Sequence, residues 1–206
     1  MAENARSNEE KVGLSADFER DTFTLDPDIV KTVLGTFMKL YEDGLIYKGA
    51  QIVNWDPKAQ STLADIDTER QAIKAKLYYM KYSNEITVAT TRPETMFGDT
   101  AVAVNPTDER YKKLIGTKIK LPLTDREIPI IYSGRIEKEF GTGCLKVTPA
   151  HAPDDYTIMN EWNIEAESKG LEKIGYVNVI DKFAKLLPIT GEFAGLKTLE
   201  AREKVV

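Results

Sequence analysis

The pattern of apolar and polar residues predicts a helical beginning to the chain. After Asp26 and Pro27, an N-cap and a proline suited to the first helical position, apolar residues recur at helical spacing. These positions are Ile29, Val33, Phe37, Leu40 and Tyr41. Gly44 is placed to end the helix, and the apolar stripe predicts that one face packs on a core. Residues 1–10 lack such a period and are expected to form a frayed end.

Short β-prone runs replace the helical pattern from Lys76 onward. The six runs cover residues 77–82, 86–91, 101–104, 118–121, 128–132 and 144–147. Repeated short strands predict an α+β fold built on a closed or nearly closed β-barrel with peripheral helices. The remaining patterns predict a strand over residues 175–179 and helices over residues 107–115, 153–162 and 196–206.

Residues 45–67 mix turn residues with short β-prone pieces, which predicts an irregular connector. We therefore expect an N-terminal helical segment and connector over residues 1–70. A β-rich domain is expected over residues 71–206.

Two polar segments interrupt the β-rich part and are the candidates for chemistry. The first is a loop between two predicted strands, with the polar residues Arg92, Glu94 and Thr95. The second, residues 140–156, is a strand, a turn and a helix start, with the polar residues Lys146, Thr148, His151 and Asp155. Each residue alone has a simpler explanation. A carboxylate in a first helical turn complements the helix dipole, and an isolated histidine is usually a structural group.

Composition describes an ordinary globular protein of 206 residues, with 42% apolar and 30% charged residues. No apolar run is long enough to span a membrane, and the N-terminal residues do not form a secretory signal. Cys144 is the single cysteine, which excludes an internal disulfide and favours a reducing, cytoplasmic setting.

The net charge of −5 cannot hold the chain on RNA by bulk attraction, so any RNA contact requires a local basic patch. The candidate residues are Lys112, Lys113, Lys118, Lys120, Arg135 and Lys138. Acidic residues are interleaved nearby, and the alternative interpretation is a solvated charged face.

The two polar segments together resemble a known family. The run TTRPETMFGDTAVAVNP, followed by REIPII and then EFGTGCLKVTPAH, is similar to the editing domain inserted in class I aminoacyl-tRNA synthetases, and most similar to that of the valyl enzymes. The resemblance extends from about Ser15 to the C-terminus. It implies that residues 71–206 are an aminoacyl-tRNA editing domain. The earlier residues resemble part of the synthetase catalytic domain.

The resemblance implies a deacylase that forms part of a valine–tRNA ligase. Its reaction would be hydrolysis of the aminoacyl ester of mischarged threonyl-tRNA(Val), without a cofactor. The implied partners are the 3′ end of an aminoacylated tRNA and the rest of the parent synthetase. No membrane partner is implied. His151 is the only histidine, so the His-x-Gly-His signature of the aminoacylation active site is absent. ATP would therefore be bound elsewhere in the parent enzyme.

The matching motifs also imply roles for individual residues. The implied catalytic set is Asp155, Lys146 and Arg92. The implied substrate-binding set is Thr95, Thr148, Phe140, His151 and Glu94. Asp155 corresponds to the residue that binds the substrate ammonium, and Arg92 and Lys146 to contacts with substrate or oxyanion. The threonines would place the side chain or a water, and Phe140 would form an apolar wall or stack on the terminal adenosine. His151 is either a general base or a structural group.

The chain departs from the family pattern at two places. Where some relatives carry a Cys-Pro-x-Cys zinc element, this chain has Asp56 and Ala59, so a zinc site is not supported. Ala152 stands where the family usually has an aspartate, which predicts weaker discrimination between substrates. The alternatives are an editing domain for another mischarged pair, a trans-acting deacylase, or a non-catalytic fragment that positions tRNA. Ala152 favours the last of these.

Overall fold

The computed structural model describes residues 2–20, 22–69 and 71–206, and for residues 2–6 and 18 only the backbone is considered. The chain divides into two compact units, Met1–Ala50 and Gln51–Val206, and each is described by itself. The domain boundary expected at residue 70 stays a prediction. Within the described residues, no helix combines the length and apolar character needed to cross a bilayer.

The first unit is helical. Helix α1 spans Ala2–Lys11, a 3-10 turn follows at Phe18–Arg20, and helix α2 spans Pro27–Glu42. Asp26 is the N-cap of α2 in an extended conformation, and Gly44 takes a φ of 72° just beyond the helix end, so α2 begins and ends as predicted. The frayed end expected for residues 1–10 is wrong for residues 2–10, which belong to α1, and residue 1 lies outside the described residues. The alanine, glutamate and lysine residues of α1 favour a helix even without an apolar stripe.

The apolar stripe of α2 is exposed. No residue of α2 is buried, and the side chains of Val33, Phe37 and Tyr41 are all more than half exposed. The prediction that this face packs on a core is therefore wrong for the described unit. Helical spacing reports which side of a helix is apolar, but it carries no information about what covers that side.

The second unit opens with a hairpin of strands β1 (Asn54–Asp56) and β2 (Ser61–Leu63), which are antiparallel with Trp55 opposite Thr62. The indole Nε1 of Trp55 donates a 2.9 Å hydrogen bond to the carbonyl of Lys182. The predicted connector thus contains a short hairpin that is fastened to a distant turn of the same unit.

Six further strands form the body of the second unit. They are β3 (Tyr78–Lys81), β4 (Thr87–Thr90), β5 (Ala101–Val104), β6 (Lys118–Lys120), β7 (Glu127–Tyr132) and β8 (Cys144–Val147). Strands β3 and β4 form a hairpin, and the others form a sheet in the order β6-β7-β5-β8. Only the β5–β7 pair in this sheet is parallel. Strand β4 also lies beside β8.

All six strands follow the predicted β-prone runs, and the α+β class is confirmed. The barrel is not closed: in the part of the chain that the structure describes, the strands form separate sheets without a pairing that joins the ends. The regularity of short strands predicts a β-rich layer, but closure depends on edge pairing that local sequence does not specify.

Strand β5 is the centre of the core, because all four of its residues are buried. Val102 and Val104 point into one apolar cluster, and Ala101 and Ala103 into a second cluster against helix α3 (Pro153–Lys169). A strand buried on both faces reads as a continuous apolar run, as this one does. Helix α3 begins at its predicted start and ends at Gly170, whose φ is 67°.

Two predicted elements are not formed. Residues 107–115 form turns and a short 3-10 helix at Lys112–Leu114 instead of an α-helix. Asn105 Oδ1 accepts hydrogen bonds from both the backbone N–H and the hydroxyl of Thr107, and this local side-chain bonding competes with a helix. Residues 175–179 form no strand. The last predicted helix is confirmed as α4 (Thr198–Lys204).

Candidate functional site

The two polar segments meet at the end of strand β8, although the residues that contact each other are more than fifty positions apart in sequence. The first segment is a 3-10 helix at Pro93–Gly98 that follows β4. Arg92 Nη1 donates a 2.6 Å hydrogen bond to the carbonyl of His151, and Lys146 Nζ donates a 2.8 Å hydrogen bond to Thr95 Oγ1. One polar cluster therefore draws residues from both segments.

Proline fixes the local geometry of both segments. Pro93 occupies the first turn of the 3-10 helix and Pro153 the first turn of α3, positions where a missing N–H costs nothing. Pro149 follows β8 and cannot donate to a continuing ladder. The polar side chains after β8 are consequently held between the strand end and the helix start.

Lys146 is the centre of the cluster and is buried. Its Nζ donates hydrogen bonds to Thr95 Oγ1 at 2.8 Å, to Thr148 Oγ1 at 2.6 Å and to Asp99 Oδ1 at 3.2 Å. An ammonium has three donors, so these bonds use all of them. In this arrangement Lys146 contributes positive charge and orientation, and it has no N–H left for a further partner.

Asp155 lies in the first turn of α3 and is buried. Its Oδ2 accepts a 2.8 Å hydrogen bond from the backbone N–H of Thr148. A carboxylate has about four lone-pair sites, so this bond leaves capacity for a cationic ligand. Burial raises the pKa of Asp155 to about 6, although the hydrogen bond from Thr148 and the charge of Lys146 oppose that shift.

His151 is held by both its backbone and its ring. The ring Nε2 accepts a 3.1 Å hydrogen bond from the backbone N–H of Val179, so this nitrogen carries no proton. Burial, together with the positive charges of Arg92 and Lys146, lowers the pKa of His151 to about 4. The imidazole is therefore neutral at pH 7, and its acceptor nitrogen is occupied. This geometry fits a structural group better than a general base.

Glu94 faces away from this cluster. Its carboxylate is fully buried and accepts hydrogen bonds from Arg202 Nε at 3.0 Å and Arg202 Nη2 at 2.6 Å. Arg92 Nε lies 3.8 Å from the same carboxylate. The bidentate pair attaches α4 to the 3-10 helix that carries Thr95, which is a supporting position and not one that presents Glu94 to a ligand.

Phe140 and Arg92 open onto different cavities. Phe140 is 68% exposed and borders a cavity of about 340 Å³ with Ala89 and Leu145. Arg92 and His151 border a second cavity of about 520 Å³. The structure thus brings Thr95, Lys146, Thr148 and Asp155 together, places Arg92 and His151 beside them, and leaves Phe140 on a separate surface.

Ala152 is the N-cap of α3, with a φ of −144° and no side-chain hydrogen bond to the helix. An aspartate at an N-cap accepts a hydrogen bond from the first helical turn and favours the helix start. The alanine therefore leaves the start of α3 without a side-chain cap, and the chain lacks an acid three residues before Asp155.

Sequence reasoning missed three groups that complete the site. Asp99 and Tyr82 lie behind Lys146, and Arg202 lies behind Glu94. The available signal was Asp99 itself, a lone acid two residues before the apolar run of β5, because a charged residue buried there requires a partner. Nothing local in sequence marks Tyr82 or Arg202.

The basic patch is mostly neutralised. Four of its six residues form ion pairs, namely Lys112 with Glu109, Lys118 with Glu172, Lys120 with Asp125 and Arg135 with Glu161. Such pairs weaken the local positive field that would attract RNA, which favours the solvated charged face. Among the described residues, no group of three or more histidine, cysteine or acidic side chains is arranged to hold a metal ion.

Comparison with protein families gives a match over nearly the whole chain. The family described as tRNA synthetases class I (I, L, M and V) matches residues 1–186. The chain is 45% identical over 201 residues to a valine–tRNA ligase from Synechocystis sp., which covers 95% of this chain and 21% of that protein. A valine–tRNA ligase from Lactobacillus johnsonii is also 45% identical over 201 residues, and the match covers 95% of this chain and 22% of that protein.

A third relative, a valine–tRNA ligase from Clostridium tetani, is 44% identical over 206 residues, with 98% of this chain and 22% of that protein covered. The chain thus spans about a fifth of the length of these curated relatives. Among solved structures, it is similar to a crystal structure of GlLeuRS-CP1, with a TM-score of 0.46 and 20% identity. That similarity covers 58% of this chain and 76% of the other.

Proposed function

The chain belongs to the class I tRNA synthetases of the I, L, M and V group, and from that premise we propose that it is the editing portion of a valyl-tRNA synthetase. Its reaction is hydrolysis of the aminoacyl ester of threonyl-tRNA(Val). The similarity to valine–tRNA ligases supports the choice of tRNA. The observation that carries the proposal is the meeting of Thr95, Lys146, Thr148 and Asp155 at one strand end.

Selection against threonine explains why such a site is needed. Threonine and valine are nearly isosteric, and an apolar pocket cannot strongly reject an isostere that merely adds a hydroxyl; valyl-tRNA synthetase facing threonine is itself the standing example of this weakness. A second site that offers hydrogen-bond partners to the hydroxyl separates the two better, because valine leaves those buried partners unpaired.

The chemistry needs no covalent intermediate. Water adds to the ester carbonyl carbon, the carbonyl oxygen gains negative charge, and the bond to the ribose oxygen breaks as that oxygen takes a proton. An aminoacyl ester is already activated, so orientation of the water and stabilisation of the oxyanion supply most of the acceleration.

Asp155 binds the α-ammonium of the substrate in this proposal. Its carboxylate is anchored by the Thr148 amide, is buried, and has lone pairs to spare. A buried carboxylate attracts an ammonium strongly, because water does not screen the pair. This fixes the ester carbonyl relative to β8 and the start of α3.

Lys146 and Arg92 supply positive charge near the oxyanion. Lys146 is committed to three acceptors, so it acts through its field and through the two threonines that it holds. Arg92 is 44% exposed in its side chain and uses Nη1 on the His151 carbonyl, so it reaches both the protein and an incoming ligand.

The test is hydrolysis by the 206-residue chain of threonyl-tRNA(Val) and valyl-tRNA(Val), prepared separately and followed by release of the free amino acid. We expect faster release of threonine than of valine. Asp155→Ala should abolish release. Asp154→Ala is the matched control, because Asp154 lies in the same helical turn and is exposed. Release that survives Asp155→Ala would contradict the proposal.

A second candidate is a non-catalytic part that packs in the parent enzyme or positions tRNA. It is favoured by Ala152 and by the complete use of the Lys146 donors inside the protein. Binding of both aminoacylated tRNAs without release of either amino acid would support this candidate.

A further inference from the structure

A cavity of about 520 Å³ lies beside the proposed site, and the proposed chemistry does not use it. All of the residues that line it belong to the second unit. The lining includes Arg92 and His151, Trp55 of the β1–β2 hairpin, and the turn at Asp181 and Lys182. A cavity of this size accepts a small organic group. Because it shares Arg92 with the proposed site, a ligand held by that site can extend into it.

Trp55 offers the cavity an aromatic surface that is fixed in position. The residue is 41% exposed, although its indole Nε1 donates a 2.9 Å hydrogen bond to the carbonyl of Lys182. An indole has one donor and no acceptor, so with that N–H used the ring offers a ligand only its π surface. Such surfaces are the ones on which unpaired nucleobases stack.

The charges around the cavity favour an anion. Arg92 and Lys182 both border it, and Lys182 Nζ lies 5.2 Å from the centroid of the Phe183 ring. No carboxylate in the described part of the chain forms an ion pair with Lys182. Asp181 also borders the cavity, but its Oδ1 already accepts 2.8 Å hydrogen bonds from the backbone N–H groups of Phe183 and Lys185. Positive charge thus exceeds negative charge in this lining.

An aromatic surface beside a cation is the combination that binds single-stranded nucleic acid. The ester of the proposed substrate joins the amino acid to the last ribose of a tRNA, so unpaired nucleotides lie wherever that amino acid is held. Four of the six residues of the basic patch are already ion-paired. The cavity instead combines a stacking surface with the unpaired charge of Lys182, directly beside the proposed site.

We propose that this cavity is a subsite for an unpaired nucleotide of the tRNA 3′ end, with the base stacked on Trp55 and a phosphate paired with Lys182. The inference rests on the proposed function, which supplies the tRNA as the ligand. Arg92 borders the cavity and bonds the His151 carbonyl at the cluster, so it joins the two sites. Phe140 borders a separate cavity and takes no part in this subsite.

Tryptophan fluorescence reports the stacking directly. The chain has two tryptophans, and Trp162 is buried, so quenching by a bound base reports Trp55. Deacylated tRNA(Val) is titrated at low ionic strength into the 206-residue chain, beside the same tRNA without its last three nucleotides. We expect the intact tRNA to quench the emission, and the truncated tRNA to bind at least about tenfold more weakly without quenching. Equal affinity for the two tRNAs, or binding without quenching, overturns the inference.

Trp55→Leu and Trp55→Phe separate stacking from a structural role. Both variants lose the hydrogen bond to the Lys182 carbonyl, but only Trp55→Phe retains an aromatic face. We expect Trp55→Leu to bind intact tRNA at least about tenfold more weakly, and Trp55→Phe to stay within about threefold of wild type. Tyr79→Leu is the matched control, because Tyr79 is a 59% exposed aromatic residue on β3, outside the cavity. Equal losses in the two Trp55 variants overturn the inference.

Lys182→Ala tests the phosphate contact. It keeps the backbone carbonyl that holds Trp55, so the hairpin stays attached. Loss of one phosphate contact to a single strand should reduce the slope of log K against log salt concentration by about 0.7. Lys81→Ala is the control, since Lys81 is an exposed residue of β3 outside the cavity, and it should leave the slope unchanged. A wild-type slope in Lys182→Ala overturns the pairing.

Binding of deacylated tRNA is measured without hydrolysis, so failure of this inference is distinguishable from failure of the proposed function. If the wild type releases no amino acid from either aminoacylated tRNA but Trp55→Leu shows the expected loss of binding, hydrolysis is refuted while the inference stands. If Trp55→Leu instead hydrolyses threonyl-tRNA(Val) with the wild-type kcat/KM, the inference is overturned while the proposed function stands.

Discussion

Arg92 donates a 2.6 Å hydrogen bond to the backbone carbonyl of His151, and this bond joins the loop after β4 to the segment that leads into α3. The bond joins a guanidinium N–H to a backbone carbonyl, so it does not depend on which side chain residue 151 carries. The imidazole makes a separate bond, accepting from the Val179 N–H. The backbone of His151 thus holds the loop that carries Arg92, and its ring holds the segment that contains Val179.

The occupied ring nitrogen predicts the outcome of replacing His151. His151→Gln retains a neutral acceptor for the Val179 N–H, so hydrolysis of threonyl-tRNA(Val) should stay within about threefold of wild type. His151→Ala leaves that buried N–H unpaired and should lower the free energy of unfolding by about 1–3 kcal/mol. Single-turnover hydrolysis and denaturant unfolding measure the two effects. A hundredfold loss of rate in a folded His151→Gln chain would show that the imidazole takes part in the chemistry.

The raised pKa of Asp155 predicts how stability and activity depend on pH. The native carboxyl has a pKa of about 6 against an ordinary value of 3.8, so between these values the native state binds more protons than the unfolded state. The Asp155 contribution to the free energy of unfolding therefore falls as pH rises from about 4 to about 6. Activity has the opposite dependence, because ammonium binding needs the charged carboxylate.

Asp155→Asn separates these effects. At pH 8 the variant should be more stable than the wild type by up to about 3 kcal/mol, since it does not bury a charge, and this gain should vanish below about pH 4. It should hydrolyse no threonyl-tRNA(Val) at either pH. Urea unfolding at pH 4 and pH 8 gives both stabilities. A variant that is less stable than wild type at pH 8 would show that the hydrogen bond from Thr148 outweighs desolvation.

The pairing of Glu94 with Arg202 predicts that replacing Glu94 lowers the stability of the fold, although Glu94 does not face the proposed substrate. Glu94→Gln leaves the half-buried Arg202 without its counter-charge, and removing one partner of a buried pair costs about 3–5 kcal/mol. We expect a loss toward the lower end of that range, because the Arg202 side chain is 24% exposed. Thermal unfolding measures it.

Glu200→Gln is the control for the Glu94 substitution, since Glu200 pairs with Lys204 on the exposed side of the same helix α4. Exposed pairs contribute at most about 1 kcal/mol. Equal losses in the two variants would mean that the Glu94 pair does not fasten α4 to the 3-10 helix.

The sequence predicts the parts of this molecule that depend on neighbouring residues. The β-prone runs became strands, and α2 begins at Pro27, because alternation and the fixed φ of a proline at the first helical position act over a few residues. The helix expected at 107–115 is absent because Asn105 bonds the backbone locally. That competition is also local, and the side-chain chemistry of Asn105 was the overlooked signal.

The interior of the site depends on contacts between distant residues and could be predicted only in part. The motif match brought Lys146, Thr148 and Asp155 together with Thr95. It gave no indication that all three Lys146 donors bind acceptors inside the protein, because one of those acceptors is Asp99, which is 47 positions away in sequence. The wrong prediction for α2 has the same cause. The spacing of its apolar residues predicts that they share one face of the helix, but whether that face is covered depends on contacts with distant residues.

Ala152→Asp combines a stability effect with a specificity effect. Ala152 is an N-cap without a side-chain acceptor, and an aspartate there can accept from the first turn of α3 and complement the helix dipole. We expect the free energy of unfolding to rise by about 1 kcal/mol at pH 7. The new carboxylate also adds an acceptor for a substrate hydroxyl, so the ratio of threonyl to valyl hydrolysis should rise about tenfold. Ala152→Asn tests the cap without the charge.

The two effects of Ala152→Asp are separable by pH. A second carboxylate near Asp155 raises the pKa of that residue further, so the pH at which hydrolysis reaches half its maximum should shift upward in Ala152→Asp and stay in place in Ala152→Asn. Hydrolysis of both aminoacylated tRNAs from pH 5 to pH 8.5 measures this. If Ala152→Asp stabilises α3 but leaves the substrate ratio and the pH midpoint unchanged, the position caps a helix and does not contact the amino acid.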